Sequence, residues 1–229
     1  MGGDGAPDPD GSPDLVTTRV VLVRHGEAVC NVDGVVGGLR GCTGLTAVGA
    51  AQVRTLADRL ARTAELGAVD ALYASRLPRA IETAQILASR LLGRAGERLA
   101  VSADCSLCEL HPGEADGLSW AELAARFDAP EGDADLDSAL APGAESWREF
   151  VDRASSAVAG LADRHRGQTV VVATHAGVIE STVLRLLPVD RAVGRLGLHP
   201  GHASLTVWVR AHGRWVLERY NDQTAGPTA

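Results

Sequence analysis

The sequence predicts an α/β fold, a single-domain α/β/α sandwich with a mostly parallel, doubly wound central sheet and a C-terminal hairpin. Three observations support this prediction. Apolar strand-like runs alternate with amphipathic helical segments, as in proteins with helices on both faces of a sheet. The runs at 20–23 and 170–173 show no polar alternation, which is typical of parallel strands buried on both faces. By contrast, residues 203–209 and 215–220 alternate around a turn that contains glycine, which predicts an antiparallel hairpin.

Length and composition are those of one soluble domain. The chain has 229 residues, of which 45% are hydrophobic and 22% charged, enough to bury a sizeable core. We expect a flexible tail at 1–18, the domain at 19–224 and a short tail at 225–229. No apolar run reaches the roughly 18 residues of a membrane helix, and residues 1–14 lack the basic start and apolar core of a signal peptide. We therefore expect a cytoplasmic protein without a membrane partner.

The charge of the chain argues against a nucleic-acid partner. The net charge is −7 and all 22 basic residues are arginines, whereas binding to a nucleic-acid backbone needs clustered positive charge. Acidic residues concentrate between 94 and 142, where eleven of them stand against three arginines. We interpret the insertion at about 105–141 as a negatively charged cap. A local group of arginines can still hold a single phosphate.

Four cysteines present one pattern typical of metal binding. Cys105 and Cys108 have the two-residue gap of a zinc knuckle and His111 lies nearby, but no second pair has the matching spacing. The other two cysteines are Cys30 and Cys42. The prediction is therefore free, partly buried thiols in a reducing cytoplasm, with no bound metal.

The first half of the chain contains two strand-to-helix units. A strand at 19–23 is followed by a glycine-rich stretch at 31–45, which predicts an irregular loop over the crevice. Thr46 is a suitable N-cap, and the apolar spacing after it predicts an amphipathic helix. A second strand at 69–74 then leads into a helix at 77–92.

The second half repeats this organisation on either side of the cap. A short strand at 99–103 precedes the cap, and a long amphipathic helix at 143–165 follows it. The apolar run at 169–174 predicts the next strand. A helix at 177–187 follows and ends at Pro188, because proline cannot continue a helix.

Charged residues follow the first strand directly. Arg24, His25, Gly26 and Glu27 stand at its C-terminal end, and in parallel sheets the carboxyl ends of the strands form the ligand crevice. Arginine supplies a rigid fork of donors for a phosphate, and a neutral imidazole can attack phosphorus. The glycine lets the backbone approach a ligand closely. Taken alone, the stretch is also compatible with a buried strand that ends in a solvated turn.

Two other strand ends carry similar residues. The strand at 169–174 ends in His175, and Ser75, Arg76 and Arg79 stand where the second strand meets its helix. Backbone N–H groups at a helix start, together with arginine, make an anion site. The alternative is that both arginines are solvated first-turn residues, although cations oppose the helix dipole at that end.

Together these motifs resemble the histidine phosphatase superfamily, also called the phosphoglycerate mutase-like family. Arg24-His25-Gly26-Glu27 is similar to its first signature, with Asn31 six residues after the histidine, and Leu45-Thr46-x-x-Gly49-x-x-Gln52 is similar to a second. The usual Asp and Pro before that leucine are absent, and Cys42 and Gly44 stand there instead. Further matching segments lie at 107–117, 203–206 and 220–222, so that the resemblance covers about 19–224.

The resemblance implies a role for each matched residue. His25 is the expected nucleophile, which attacks phosphorus and becomes a phosphohistidine, and Glu109 is the expected proton donor. The residues expected to hold the phosphoryl group or the substrate are Arg24, Arg79, His175, Asn31, Gly37, Gly38, Thr43, Gly44 and His202. Arg76 has no such counterpart in the family.

The choice of proton donor stays open among three carboxylates. Glu109 matches the family donor, but Glu114 and Asp116 lie close by in the sequence. Pro112 and Ala115 replace residues that are commonly aromatic, and Asp116 stands where a glutamate is usual. The segment is therefore able to follow a different path from that of its relatives.

These inferences lead to one function and two alternatives. We expect a metal-independent phosphatase that acts on a small phosphorylated metabolite and needs no cofactor. A phosphoglycerate mutase-type phosphotransferase is the alternative, but such enzymes need a basic surround for a doubly phosphorylated cofactor, and this cap is acidic. A non-catalytic phosphate-binding module on the same fold is the second alternative. The sequence leaves open which metabolite is bound and whether the protein is a homodimer.

Overall fold

The computed structural model describes residues 16–127, 136–187 and 196–223, and within these ranges six strands form one mixed sheet. The strands are β1 (Thr18–Arg24), β2 (Ala71–Ala74), β3 (Val101–Ala103), β4 (Thr169–Thr174), β5 (Leu205–Ala211) and β6 (Arg214–Asp222). Their order across the sheet is β3-β2-β4-β1-β5-β6. β1, β4, β2 and β3 pair in parallel, whereas β5 is antiparallel to both β1 and β6. The predicted mostly parallel sheet with a C-terminal hairpin is confirmed.

Helices cover both faces of the sheet. They are α1 (Val29–Val32), α2 (Ala47–Thr63), α3 (Pro78–Ala88), α4 (Trp120–Arg126), α5 (Trp147–Arg164) and α6 (Ala176–Leu186). Short 3₁₀ turns span Cys105–Leu107 and Gly113–Ala115. α2 and α3 pack on one face, and α5 and α6 pack on the other.

The central strands are apolar because both of their faces are buried. In β1, Val20 and Leu22 pack towards α5 and α6, while Val21 and Val23 pack towards α2 and α3. All four side chains are fully buried, which follows from the two-residue period of a strand. Only the strand ends are therefore left to carry polar function.

Two helix boundaries lie four residues from their predicted positions, and the others that were predicted lie within one. α5 begins at Trp147 instead of 143, because Ser146 and Glu149 form a capping box in which each side chain accepts a hydrogen bond from the other residue's backbone N–H. α3 ends at Ala88 instead of 92, where the chain turns back and Gly96 adopts a φ of +80°. The predicted N-cap of α2 is confirmed, since Thr46 Oγ1 accepts a hydrogen bond from the Gly49 N–H at 2.9 Å.

The last hairpin begins two residues later than predicted. Ala203 adopts a φ of +51° and donates its N–H to the carbonyl oxygens of Arg24 and His25 at 3.1 and 3.2 Å. β5 therefore starts at Leu205. The turn before β5 is thus hydrogen-bonded to the C-terminal end of β1, next to His25.

Parts of the predicted tails and cap lie outside the described residues. These are 1–15, 224–229 and residues 128–135 of the cap. The described part of the cap packs on the loop at 31–45 through a small cluster of Val36, Ala115, Leu123 and Ala141. Within the described ranges, no helix has the length and apolar character needed to cross a membrane.

Candidate active site

The parallel pairing of β1 with β4 brings the two predicted histidines together. Arg24 is the register partner of Thr174, so His25 and His175 are the next residues along the two neighbouring strands. The His25 N–H donates to the Thr174 carbonyl at 2.9 Å, and the two imidazole rings lie 5.2 Å apart. Both side chains are buried. Neither ring is exposed to solvent as that of a surface histidine is.

The hydrogen bonds of His25 determine which ring nitrogen can react. Nδ1 lies 2.7 Å from the carbonyl oxygen of Gly26, which can only accept, so Nδ1 carries the proton. Nε2 is then unprotonated and carries a lone pair, to which Arg79 Nε donates a hydrogen bond of 3.1 Å. Burial, followed by the charge of Arg79, lowers the pKa of His25 well below its ordinary value. His25 therefore presents a neutral, nucleophilic Nε2.

Arg79 reaches the site from the first turn of α3. Its guanidinium is buried, and Nη1 donates to the Gly37 carbonyl at 2.6 Å. Thr83 Oγ1 donates to the Arg79 carbonyl at 2.7 Å and accepts from the Gly26 N–H at 3.3 Å, which connects α3 to the end of β1. Arg76, by contrast, is exposed. The structure thus places Arg79 in the site and Arg76 at the surface, a difference that the sequence pattern alone could not predict.

Arg24 is held on the other side of His25. Its Nη2 lies 3.1 Å from His202 Nε2, and Nη1 donates to the Pro200 carbonyl. The ring of His202 lies 5.6 Å from that of His25. Burial lowers the pKa of Arg24, an effect that Glu109 opposes. Burial and the charge of Arg24 lower the pKa of His202 to about 4, so His202 is neutral at physiological pH.

Ser75 orients His175, a function that the sequence analysis did not assign to it. Ser75 Oγ lies 2.7 Å from His175 Nε2, and both side chains are fully buried. Nδ1 of His175 is buried without a hydrogen-bond partner in the described residues, so it is the ring nitrogen that no protein group engages there. The signal for Ser75 was its position at the end of β2, because β2 pairs in parallel with β4.

Of the three candidate proton donors, the structure brings only Glu109 to the cavity. Glu109 Oε2 accepts from the Gly177 N–H at 3.1 Å, at the start of α6. A Cβ at position 177 would lie 2.3 Å from Oε1, so this close approach requires glycine. Glu114 is exposed. Asp116 accepts hydrogen bonds from three backbone N–H groups of the loop at 38–41, so its carboxylate anchors that loop.

Six of the predicted site residues line a cavity of about 500 Å³. Those that line it are Arg24, His25, Asn31, Gly37, Arg79 and Glu109. Asn31 Oδ1 accepts from the Ala28 N–H at 3.1 Å, so its amide nitrogen is the end that can donate to a ligand. An apolar wall that the sequence analysis missed is formed by Leu110, Trp120, Leu140, Trp147 and Leu198. These side chains come from separate segments, which is why no local pattern reveals them.

Four residues predicted to bind substrate do not line the cavity, namely Gly38, Thr43, Gly44 and His202. A Cβ at Gly38 would lie within 2.6 Å of the Asp116 carboxylate, and one at Gly44 would lie within 2.9 Å of the Glu82 carboxylate. Thr43 is exposed. The two glycines therefore allow the loop to pack closely against these carboxylates.

The second signature, at 45–52, packs against the first, at 24–27, and holds it in position. Gly26 packs against α2 instead of a ligand, because a Cβ there would lie 2.3 Å from the Gly49 carbonyl oxygen. Glu27 donates its N–H to Gln52 Oε1 at 3.0 Å and accepts from Thr46 Oγ1 at 2.7 Å. The expectation that Gly26 lets a ligand approach is thus corrected. The signature at 45–52 holds the end of β1 in place.

We expect the protein to lose stability as the pH falls from about 6.5 to about 5. Burial lowers the pKa of His25 and His175 well below the unfolded value near 6.5, so the unfolded state binds protons that the folded state does not. The free energy of unfolding then decreases by up to about 1.4 kcal/mol per pH unit for each histidine. Urea unfolding at several pH values measures this slope.

Two variants test whether the buried histidines, and not other titratable groups, cause this dependence of stability on pH. His175→Asn should reduce the slope of stability against pH. His212 is exposed in the β5–β6 turn, and its φ of +50° is one that asparagine tolerates, so His212→Asn should retain the parent slope. An unchanged slope in His175→Asn would contradict this assignment.

Comparison with known proteins identifies the family of this chain. The sequence model of the histidine phosphatase superfamily (branch 1) matches residues 20–223. Phosphoglycerate mutase-like protein 4 of Arabidopsis thaliana is 32% identical over 219 residues, which cover 92% of this chain and 88% of that protein. A metal-independent phosphoserine phosphatase of the same plant is 32% identical over 210 residues, which cover 90% of this chain and 82% of that protein.

Solved structures show the same fold. A mycobacterial glucosyl-3-phosphoglycerate phosphatase superposes with a TM-score of 0.73 at 28% identity, covering 90% of this chain and 100% of that one. The protein called mycobacterial hydrolase 1 gives a TM-score of 0.74 at 28% identity, with 91% and 100% covered. With the family match over residues 20–223 and with Arg24, Arg79 and His175 gathered around His25, the chain belongs to the histidine phosphatase superfamily.

Proposed function

We propose that this protein is a phosphatase that hydrolyses a small phosphorylated metabolite through a phosphohistidine on His25. The observation that carries the proposal is the buried Nε2 of His25, which is held unprotonated by the Gly26 carbonyl and faces the Arg79 guanidinium at the cavity. A non-catalytic binding module would not need a neutral imidazole in this orientation.

The proposed reaction has two steps. Nε2 of His25 attacks phosphorus, while Arg24, Arg79 and the Nδ1 of His175 hold the three equatorial oxygens. The bond from phosphorus to the leaving oxygen breaks, and Glu109 gives that oxygen a proton. Glu109, now ionised, takes a proton from water as the water attacks the phosphohistidine. Inorganic phosphate is released and Nε2 of His25 is restored.

The cavity supports a substrate with an apolar or aromatic portion. Beyond the phosphate site, its wall contains Trp120, Trp147 and Leu198, and the cap around it is acidic. The named relatives include enzymes for phosphoserine and for glucosyl-3-phosphoglycerate. We propose that the substrate is a small organic phosphomonoester, and a screen of phosphorylated metabolites will identify it.

We expect p-nitrophenyl phosphate to be hydrolysed by the purified protein after exhaustive chelation. The reason is that two arginines supply the positive charge that a metal ion would supply at phosphorus. The measurement is the rate of nitrophenolate release with and without chelator. Complete loss of turnover, restored by zinc or magnesium, would overturn the metal-independent mechanism, and no turnover in any condition would favour a binding module.

We also expect hydrolysis to exceed mutase activity. A doubly phosphorylated primer needs a basic surround, and the acidic cap repels it. Phosphate release and isomerisation are to be measured on the same phosphoglycerate, with and without a bisphosphorylated primer. Efficient isomerisation that depends on the primer would reverse this assignment.

A further inference from the structure

A second group of reactive side chains lies on the turn that carries Glu109. Cys105 Sγ is 3.2 Å from Cys108 Sγ and 3.5 Å from His111 Nε2, and the three atoms all lie within 4.8 Å of one another. The cysteine spacing predicted free thiols here, because no second cysteine pair has the spacing of a zinc knuckle. The structure shows that the third member of the group is a histidine.

We propose that Cys105, Cys108 and His111 bind one zinc ion, with a fourth coordination position open to water. Tetrahedral zinc, with Zn–S near 2.3 Å and Zn–N near 2.0–2.1 Å, places two sulfur ligands about 3.8 Å apart and a sulfur and a nitrogen about 3.5 Å apart. The distance from Cys105 to His111 already fits. The two sulfur atoms, now 3.2 Å apart, need to separate by about 0.6 Å.

The surroundings of His111 are those of a metal ligand. Its Nδ1 lies 3.3 Å from Glu145 Oε1, and its backbone N–H donates to Glu145 Oε2 at 2.9 Å. A histidine that binds zinc through Nε2 donates its other N–H to a carboxylate in this way. Arg153 holds Glu145 through two hydrogen bonds of 2.6 and 2.8 Å. The carboxylate is thus fixed where it orients the imidazole.

Arg153 also holds the backbone of the turn closed. Its Nη1 donates to the carbonyl oxygens of Cys105, Ser106 and Cys108 at 3.3, 2.9 and 3.2 Å. The turn therefore brings the two thiols together before any ion binds. Cys108 is buried, whereas the His111 side chain is 42% exposed, so an ion can enter from the side of His111.

A zinc ion here would position Glu109, because Glu109 lies between two of the ligands in sequence. Cys108 Sγ is also 3.5 Å from Ser75 Oγ, which contacts His175 Nε2 at 2.7 Å. The ion would thus hold the proton donor relative to the histidines. This consequence rests on the proposed function, whereas zinc binding itself does not.

Metal content measures the binding directly. The full-length protein is stripped with a chelator under reducing conditions, incubated with zinc, freed of excess ion and analysed by mass spectrometry. We expect about one zinc per chain in the parent and a loss of at least tenfold in affinity for Cys105→Ser and His111→Gln. Cys42→Ser and His199→Gln are the matched controls, and both should retain the ion. Cobalt substitution should produce a thiolate-to-cobalt charge-transfer band that Cys105→Ser lacks.

The outcomes separate the proposal from its alternatives. A zinc-free parent, or equal zinc in the parent, Cys105→Ser and His111→Gln, would overturn the site. A disulfide between Cys105 and Cys108 that forms in air, with no zinc bound after reduction, would also overturn it and would identify a redox pair instead. Neither result depends on whether the protein hydrolyses phosphate.

A kinetic comparison tests the role in positioning. If zinc holds Glu109, the zinc-free protein should lose several-fold in rate on an alkyl phosphate and little on p-nitrophenyl phosphate, since only the alkoxide needs a proton. Equal losses on both substrates would overturn the positioning role. If neither form of the protein hydrolyses any phosphate, the proposed function fails while the zinc content still decides the metal site.

Discussion

Replacement of His25 by alanine should abolish turnover, with a loss of at least about 10⁴-fold in kcat. No other nucleophile stands in its place, because the rings of His175 and His202 are displaced from that of His25 by 5.2 and 5.6 Å. The arginines would still bind phosphate, so substrate affinity should change much less than kcat.

The covalent intermediate gives a second measurement of the same prediction. A ³²P-labelled substrate, mixed rapidly with the parent and quenched, should leave acid-labile label on the protein, and His25→Ala should show none. His212→Asn is the control, since His212 is exposed and far along the chain in the β5–β6 turn. Label or turnover that persists in His25→Ala would move the nucleophile to another residue.

Replacement of Glu109 by glutamine should separate substrates by their leaving groups. An alkyl alkoxide needs a proton in the transition state, whereas p-nitrophenolate hardly does. Loss of the donor should therefore cost roughly 10²-fold or more on an alkyl phosphate and much less on p-nitrophenyl phosphate. The ratio of the two values of kcat/KM, parent against Glu109→Gln, measures this difference.

The two neighbouring carboxylates are the controls. Glu114→Gln should behave like the parent on both substrates, because Glu114 is exposed and does not line the cavity. Asp116→Asn should weaken the anchoring of the loop at 38–41 and affect both substrates alike, since Asp116 binds three backbone N–H groups. A leaving-group dependence in Glu114→Gln, with Glu109→Gln nearly neutral, would show that the donor has been misplaced.

Local sequence patterns were sufficient to predict the helices and strands and the residues that stand at the strand ends. The continuous apolar run of β1 predicts burial on both of its faces. Thr46 caps α2 because its hydroxyl oxygen accepts a hydrogen bond from the N–H three residues ahead. His25 and His175 could be assigned to one site before the structure because parallel neighbours end at the same edge of a sheet. These inferences depend on interactions within a few residues or on the general geometry of a parallel sheet.

The proton donor needed the fold to distinguish three nearby carboxylates. Glu109, Glu114 and Asp116 lie within eight positions of one another, and no propensity or period separates their roles. The distinction comes from the path of the cap, which brings Glu109 to the Gly177 N–H and Asp116 to the loop at 38–41. Family resemblance selected Glu109, and the tertiary contacts supply a physical reason for that choice.

The sequence by itself determined the α/β architecture, the apolar core strands and the residues that stand at the strand ends. Only the tertiary structure decided that Ser75 meets His175, that Trp120 and Trp147 share a wall, and that Glu145 lies behind His111. The physical reason is one of range: hydrophobic period and capping act over a few residues along the chain. Contacts between separate segments depend on how the helices, loops and cap pack, and this packing is a property of the whole chain.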